Sequence, residues 1–299
     1  MDLRQLEYFV NVAESGSFSR AAIALNLAQP SLSRQVALLE GELGQRLLVR
    51  TGRGVTPTEA GSALLAHARV MLGAAQRARE EMHDMGGSPS GRVIVGMPPR
   101  VALGLSVALV HRFRERFPRA VITILEGLSL SLRESLIAGR LDMALIFDPQ
   151  PSPQLSYTQL MREQLFLVAP GDQVLPARVS LAALANFPMV LPSSPNAIRG
   201  LVDAALRPRS IELQVIAEVG AVNTVLALVA SGVGCTILPE SAIALDPHGD
   251  QLARAPIGPP ALWNTLVLAE SVARPATRLT RGTAQLLREL DFRAPRSPR

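Results

Sequence analysis

The chain contains no lysine, and all thirty of its basic residues are arginine. It has one cysteine, Cys235, so an internal disulfide and redox sensing by a thiol pair are both excluded. No uninterrupted apolar run reaches the length of a membrane span. The N-terminus carries Asp2, Arg4 and Glu7 where a signal peptide would need a basic start and an apolar core, and a cytoplasmic protein without membrane contact is expected. Catalytic signatures are missing too. There is no P-loop, no HExxH, no metal-spaced Cys/His cluster and no Gly-x-Ser-x-Gly; the nearest string, Gly127 to Ser131, ends in serine. Gly232-Val233-Gly234 lacks the third glycine of a dinucleotide site, and His67, His83, His111 and His248 are dispersed and read as surface or packing residues. No catalytic residue, metal or cofactor is therefore expected.

What remains is a chain of 299 residues, 48% hydrophobic and 18% charged, enough for two or three units that each bury a core. The formal charge of +5 invites a nucleic-acid argument, but its location does not support one. Residues 1–91 hold nine arginines and nine acids, residues 92–273 fourteen of each, and residues 274–299 seven arginines against two acids. The whole excess sits in the last segment, with Arg293, Arg296 and Arg299 at its end, and reads as a solvated, frayed terminus. The absence of lysine reads as genomic composition bias.

Residues Ser17 to Leu43 have the layout of a helix-turn-helix. Ser17 is placed to cap a first helix that turns Ala21, Ala22 and Leu25 inward, and Pro30 is placed to open a second. Leu32, Val36, Leu39 and Leu43 then recur on one face, while Ser31, Ser33, Arg34, Ala37 and Glu40 lie opposite, a set of side chains suited to a major groove. An αα-hairpin with a polar outer face satisfies the same pattern. Residues Leu47 to Thr56 read as two short strands around Thr51-Gly52-Arg53-Gly54, a wing whose Arg50 and Arg53 are suited to phosphates or a minor groove. Ahead of these, Asp2 to Glu14 is an amphipathic helix with Leu6, Phe9, Val10 and Ala13 inward.

Several stretches in register, LEYF (Leu6 to Phe9), SFSRAA (Ser17 to Ala22), QPSLSR (Gln29 to Arg34), LEGE (Leu39 to Glu42) and TEAG (Thr58 to Gly61), resemble the winged helix-turn-helix of LysR-type transcriptional regulators. The resemblance implies double-stranded DNA as partner, with Gln29, Pro30, Ser33 and Arg34 at the DNA and Arg50 and Arg53 on the wing. Ser31, on the same outer face, joins them as an expected contact. Leu48 stands where the family usually has phenylalanine and Pro57 where it often has leucine, both apolar packing changes.

After the wing, Thr58 is placed to cap a long helix on which Leu64, Ala68, Met71, Ala75, Ala78, Met82 and Met85 alternate steps of four and three. Such a seam needs a partner helix, and a homodimer, alone or paired into a homotetramer, supplies one; a single helix packed on its own domain is the alternative. The run Gly86 to Gly91 reads as a hinge.

From Arg92 onward strands alternate with helices, the sign of an α/β layer fold with largely parallel sheets. Strands are expected at 93–97, 121–126, 143–147, 165–169, 189–191, 213–218, 235–238 and 265–269, and helices at 101–117, 130–138, 196–206, 222–230 and 277–290. Residues 154–164 read as a crossover, so two lobes are expected, lobe I about 92–162 with 268–299 and lobe II about 163–267. The layout is similar to the family's effector domain, itself similar to periplasmic substrate-binding proteins. GRVIVGMPPR, EGLSLSL, AGRLDMALIFDP and GVGCTILPE look most like the branch of the nitrogen assimilation control protein. The expected division is residues 1–58 for DNA binding, 59–91 for the linker helix and hinge, and 92–299 for the effector domain.

Ligands of open α/β folds collect beyond strand C-termini, where helix N-termini point at a crevice. Pro99 and Arg100 follow the first strand of this domain, Ser129 the second, Ser193 and Ser194 precede a helix bearing Arg199, and Asn223 opens another. Helix capping accounts for each loop taken singly. The family's cleft favours Ser129, Ser193, Ser194 and Asn223 as contacts of a small, anionic effector, with Arg100 and Arg199 as its charge partners. Arg100 departs from the family, which usually has a small hydroxyl residue there; its guanidinium would either bind the ligand or fill the site itself. The expected function is a ligand-gated, DNA-binding transcriptional regulator. The competing reading is a cytoplasmic small-molecule-binding protein or enzyme whose N-terminal helices only mediate association; the wing and Arg34 favour the first.

Overall fold

The computed structural model describes residues 1–52, 54–83 and 89–292. The chain divides into two compact units, residues 1–89 with 137–140 and residues 90–136 with 141–299.

In the first unit, α1 (Leu3–Ser15) starts on a reciprocal cap, in which the Asp2 carboxylate accepts the Gln5 amide and the Gln5 side chain accepts that of Asp2. Ser17 caps α2 (Phe18–Ala24) through the Arg20 amide. The next helix, α3 (Gln29–Leu43), begins one residue before the expected start at Pro30, which occupies the first turn. Leu32, Val36 and Leu39 are buried as their spacing requires, but Leu43 is exposed, because the helix ends there and Gly44 turns the chain through a left-handed conformation. Glu40 is also not on the outer face. Its Oε1 accepts the amides of Leu47 and Leu48 at 2.7 and 3.1 Å, tying the wing to the helix.

The wing pairs β1 (Leu48–Thr51) antiparallel with β2 (Gly54–Pro57); Arg53 lies outside the described residues. The following helix, α4 (Glu59–His83), is capped by Thr58, whose hydroxyl accepts the Gly61 amide at 2.9 Å and donates to the Arg46 carbonyl at 2.7 Å. A Cβ on Gly61 would fall 1.9 Å from the Leu47 carbonyl oxygen, so the close approach of α4 to the wing needs glycine. Phe9, Leu6, Val12, Leu32, Leu39 and Ala68 form the core, where burying Phe9 contributes about 1.5–3 kcal/mol. Leu64 and Met71 pack on this same core, whereas Ala78 and Met82 stay exposed. The seam is thus divided. Its first half is taken up by the unit's own core, Ala75 is half-buried, only Ala78 and Met82 are exposed among the described residues of the second half, and Met85 lies outside them, as do residues 86–88 of the expected hinge.

The second unit opens with β3 (Ser90–Met97), α5 (Pro99–Arg116), β4 (Arg119–Glu126), α6 (Ser129–Ile137) and β5 (Met143–Phe147), with β3 lying parallel between β4 and β5. Ser90 and Gly91, expected in the hinge, belong to β3. The expected crossover at 154–164 is strand as well, since β6 (Leu155–Pro170) runs sixteen residues without a break. Then come β7 (Pro188–Pro192), α7 (Ala197–Leu206), β8 (Gln214–Val219), α8 (Val222–Ala230), β9 (Thr236–Pro239), α9 (Glu240–Ala244), β10 (Leu252–Pro256), β11 (Trp263–Ser271) and α10 (Arg278–Glu289). Neither α9 nor β10 was expected, both being too short to show a period.

The strand order β10-β6-β11-β5-β3-β4, with β9 also on β6, makes a mixed sheet in place of the largely parallel one expected. All pairings of β6 and β11 are antiparallel, because these two strands carry the chain between the lobes in opposite directions. Two separate cores result. One gathers Val93, Val95, Leu109, Phe113, Leu145 and Leu268 with Leu286 and Leu287 of α10, and the other Leu167, Leu184, Met189, Val202, Leu226 and Ile237. Gly282 of α10 seats on Phe117, whose ring would lie 2.3 Å from a Cβ there.

Candidate functional site

Two surfaces carry the residues of interest, one in each unit. In the first, Pro30, Ser31 and Arg34 are exposed along the N-terminal half of α3, and Gln29 and Ser33 are half-buried beside them. Among the described residues Arg34 has no hydrogen-bond or ion-pair partner. Arg50 of the wing leans onto α3: Nη2 donates to the Ser33 hydroxyl at 3.4 Å, and its guanidinium lies 5.2 Å from the centre of the Phe18 ring. Helix and wing therefore present one continuous face with two guanidinium groups, a form suited to entering a groove and gripping the adjoining backbone.

In the second unit a cavity of about 460 Å³ opens between α6 and α7. Its wall includes Ser129, Ser194 and Arg199 of the expected set, but not Pro99, Arg100, Ser193 or Asn223. Ser129 is turned inward, its hydroxyl accepting the Phe147 amide at 3.0 Å. Arg199 is bound on both sides, Nε to Asp203 at 2.9 Å and Nη1 to Glu218 at 2.6 Å, and the hydrogen bond it donates to Glu218 raises its already high pKa. Asn196 caps α7 through the Ile198 and Arg199 amides.

Arg100 is consumed inside the protein. Its Nη1 meets Glu163 Oε1 at 2.8 Å, the two side chains being only 12% and 11% exposed. The same nitrogen donates to the Ser241 hydroxyl, which in turn donates to the other oxygen of Glu163. The guanidinium lies 4.6 Å from the centre of the Phe147 ring, and with the Asn264 amide turned so that its oxygen faces Arg100 and its nitrogen Asp148, Nη2 donates to that oxygen at 3.2 Å. The void beside Arg100 holds about 20 Å³, room for about one water. The space at the start of α5 is thus filled by the protein's own side chains.

The far end of this network is Asp148. Its Oδ2 accepts from the fully buried Asn264 at 2.6 Å and its Oδ1 from the Thr265 amide at 3.0 Å. Burial pushes its carboxyl up to about 6; the Thr265 amide works against the rise and the Glu163 charge adds to it. Of this network the sequence showed only Asp148, as part of AGRLDMALIFDP and without a role; Glu163 fell in the expected crossover, Ser241 on the unexpected α9, and Asn264 just ahead of the strand expected at 265–269. Arg133 on the cavity wall was equally silent, as one of fourteen arginines in its region.

A broader hollow of about 550 Å³ lies elsewhere, between the ends of β6, α8 and β10. It carries Asp172 and Asp250 and no cation, and glycine and backbone make much of its wall. Cys235 is buried on an apolar strand edge, which pushes its thiol pKa up and makes it a poor nucleophile. Among the described residues no group of three or more His, Cys, Asp or Glu is placed to hold a metal, and no helix is long and apolar enough to cross a membrane.

Comparison with known proteins matches both units. Residues 3–62 match the bacterial regulatory helix-turn-helix protein, lysR family, and residues 86–291 the LysR substrate binding domain. The nitrogen assimilation regulatory protein nac of Escherichia coli K12 is 43% identical over 244 residues, covering 81% of this chain and 79% of that protein. The regulator BbuR of Bordetella bronchiseptica is 30% identical over 281 residues, 93% of this chain and 86% of its own. Among solved structures, a full-length OxyR variant from Pseudomonas aeruginosa aligns over 96% of this chain and 93% of that one, at 25% identity and a TM-score of 0.77. CbnR complexed with its target DNA shares the fold at a TM-score of 0.66 and 24% identity, over 96% and 99% of the two chains.

Proposed function

This chain belongs to the family of LysR-type transcriptional regulators, DNA-binding proteins with an effector-binding domain, and on that premise we propose how its parts divide the work. The reading of the N-terminal helices as a mere association module falls with that membership. Residues 1–58 read DNA, 59–91 join two copies into a homodimer or homotetramer and articulate the hinge, and 92–299 sense a small molecule. The protein acts in the cytoplasm as a regulator without catalysis or cofactor.

Arg34, with Gln29, Pro30, Ser31 and Ser33, reads bases in a major groove, and Arg50 and Arg53 hold the backbone. The observation that carries this reading is the exposed guanidinium of Arg34, without a partner among the described residues, on the face of α3 opposite Leu32, Val36 and Leu39. In the second unit, Ser129, Ser194 and Arg199 contact an effector in the cavity between α6 and α7, while Arg100 stays off its wall, held by Glu163. An effector that binds one lobe arrangement better than another shifts the balance between them, and so the placement of the DNA-reading units.

The test is a footprint of the full-length protein on the DNA upstream of its own gene, with retardation of random DNA alongside. Protection of two half-sites at a concentration that leaves random DNA free is expected. Equal affinity for the two DNAs overturns the assignment.

A further inference from the structure

The cavity between α6 and α7 has on its wall one arginine that pairs with none of its neighbours among the described residues. Four ionisable side chains on its wall count: Arg133, Asp148, Arg199 and Asp203. Arg199 is neutralised by Asp203 and, beyond the wall, by Glu218. Asp148 turns both oxygens into the protein, towards the Asn264 side chain and the Thr265 amide. Arg133 is left over. It is half-buried, its Nε is shut off from solvent, and among the described residues no hydrogen-bond or ion-pair partner reaches it. An unsatisfied charged donor at a cavity wall is costly, and in native structures such groups mark missing partners.

We propose that the cavity takes a small organic carboxylate, whose charge is held by Arg133 of α6 and not by the start of α5. The inference rests on reading this cavity as the effector site. The two terminal nitrogens of the Arg133 guanidinium would offer parallel N–H bonds that match the two oxygens of a carboxylate, while Nε stays shut off behind them. The rest of the wall calls for a carbon body in place of an inorganic anion, since Leu130, Ile146, Phe147, Pro149 and Leu201 line it. At about 460 Å³ the space lies in the lower half of the ~300–1,000 Å³ range of small-molecule sites. The start of α5 cannot serve the same anion, because Glu163 already holds the Arg100 charge and only about 20 Å³ remains there.

Calorimetry on the full-length protein tests this, with straight-chain monocarboxylates from butyrate to octanoate and phenylacetate, the primary amide of each, and inorganic phosphate. At least one carboxylate should bind at one site per chain, about thirty-fold tighter than its amide and tighter than phosphate. Arg133→Gln should remove that about thirty-fold preference while the thermal midpoint and the amide affinity stay unchanged, and Arg133→Lys should restore part of it. Leu201→Trp, which fills the cavity, should abolish binding altogether. Carboxylate binding that survives Arg133→Gln but not Leu201→Trp overturns the role of Arg133 and leaves the cavity as effector site. Binding that survives both overturns the effector reading of the cavity itself. Phosphate binding as tight as any carboxylate, or no carboxylate binding at all, overturns the ligand class.

Discussion

Glu163→Gln should destabilise the effector domain more than any other single loss of a carboxylate charge in it. The substitution keeps the shape but leaves the Arg100 guanidinium facing a neutral amide at a site where both partners are almost nine-tenths buried. Removing one partner of a buried pair costs about 3–5 kcal/mol, chiefly because the other charge is stranded. Here Ser241, Asn264 and the Phe147 ring continue to hold Arg100, which places the expectation near the lower figure, about 3 kcal/mol. At roughly 2–4 °C per kcal/mol for a domain of this size, the midpoint should fall by about 6–12 °C. The assay is built into the chain: its one tryptophan, Trp263, sits on β11 next to Asn264 with the Arg162 guanidinium 4.6 Å from its ring centre, so fluorescence follows this domain and not the N-terminal unit. Glu218→Gln is the control, because Glu218 is 48% exposed and its bond to Arg199 is worth about 0–1 kcal/mol. The double change Arg100→Met with Glu163→Leu should recover most of the loss, since no charge is then stranded. A Glu163→Gln midpoint within about 2 °C of Glu218→Gln would refute the view of this network as a buried, mutually dependent cluster.

Asp148 should give the domain a distinctive pH dependence. Its folded carboxyl holds a proton up to about 6 against an ordinary value of 3.8, so between those values the folded state binds more protons than the unfolded chain and stability falls as pH rises. Asp148→Asn should lose that slope, and parallel wild-type and variant curves of urea midpoint against pH would exclude the effect. Arg34→Ala should cost about 1–3 kcal/mol on the cognate site and flatten sequence preference, whereas Arg50→Ala should weaken all sequences alike and lower the salt slope; equal loss on cognate and random DNA for Arg34→Ala would contradict base reading. Met82→Glu, at a residue 60% exposed, should yield monomers in sedimentation with the DNA-reading unit still folded, while Met71→Glu should lower the stability of that unit because Met71 packs on its core. A dimer of unchanged affinity in Met82→Glu would remove α4 as the contact.

The sequence by itself determined those features whose cause lies within a turn or two of the residue concerned. The caps of Ser17 and Thr58, the buried side of α3 and the paired strands of the wing follow from side-chain spacing and from residues that satisfy or break backbone hydrogen bonds locally. Gly61 was legible only as part of TEAG; the reason for it is the Leu47 carbonyl at 1.9 Å from its missing Cβ. Only the tertiary structure decided whom each charge meets. Glu40 looked like an outer-face residue until its carboxylate was seen to hold two amides of the wing, and half of the α4 seam turned out to serve its own core. Arg100 and Glu163 are 63 residues apart and Arg100 and Ser241 141, so no period or motif links them. Their meeting depends on where β6 and α9 are carried by two lobes that the antiparallel strands β6 and β11 join. Charge pairing follows distance in space, and the same packing that gave Arg100 a partner left Arg133 at the cavity without one among the described residues.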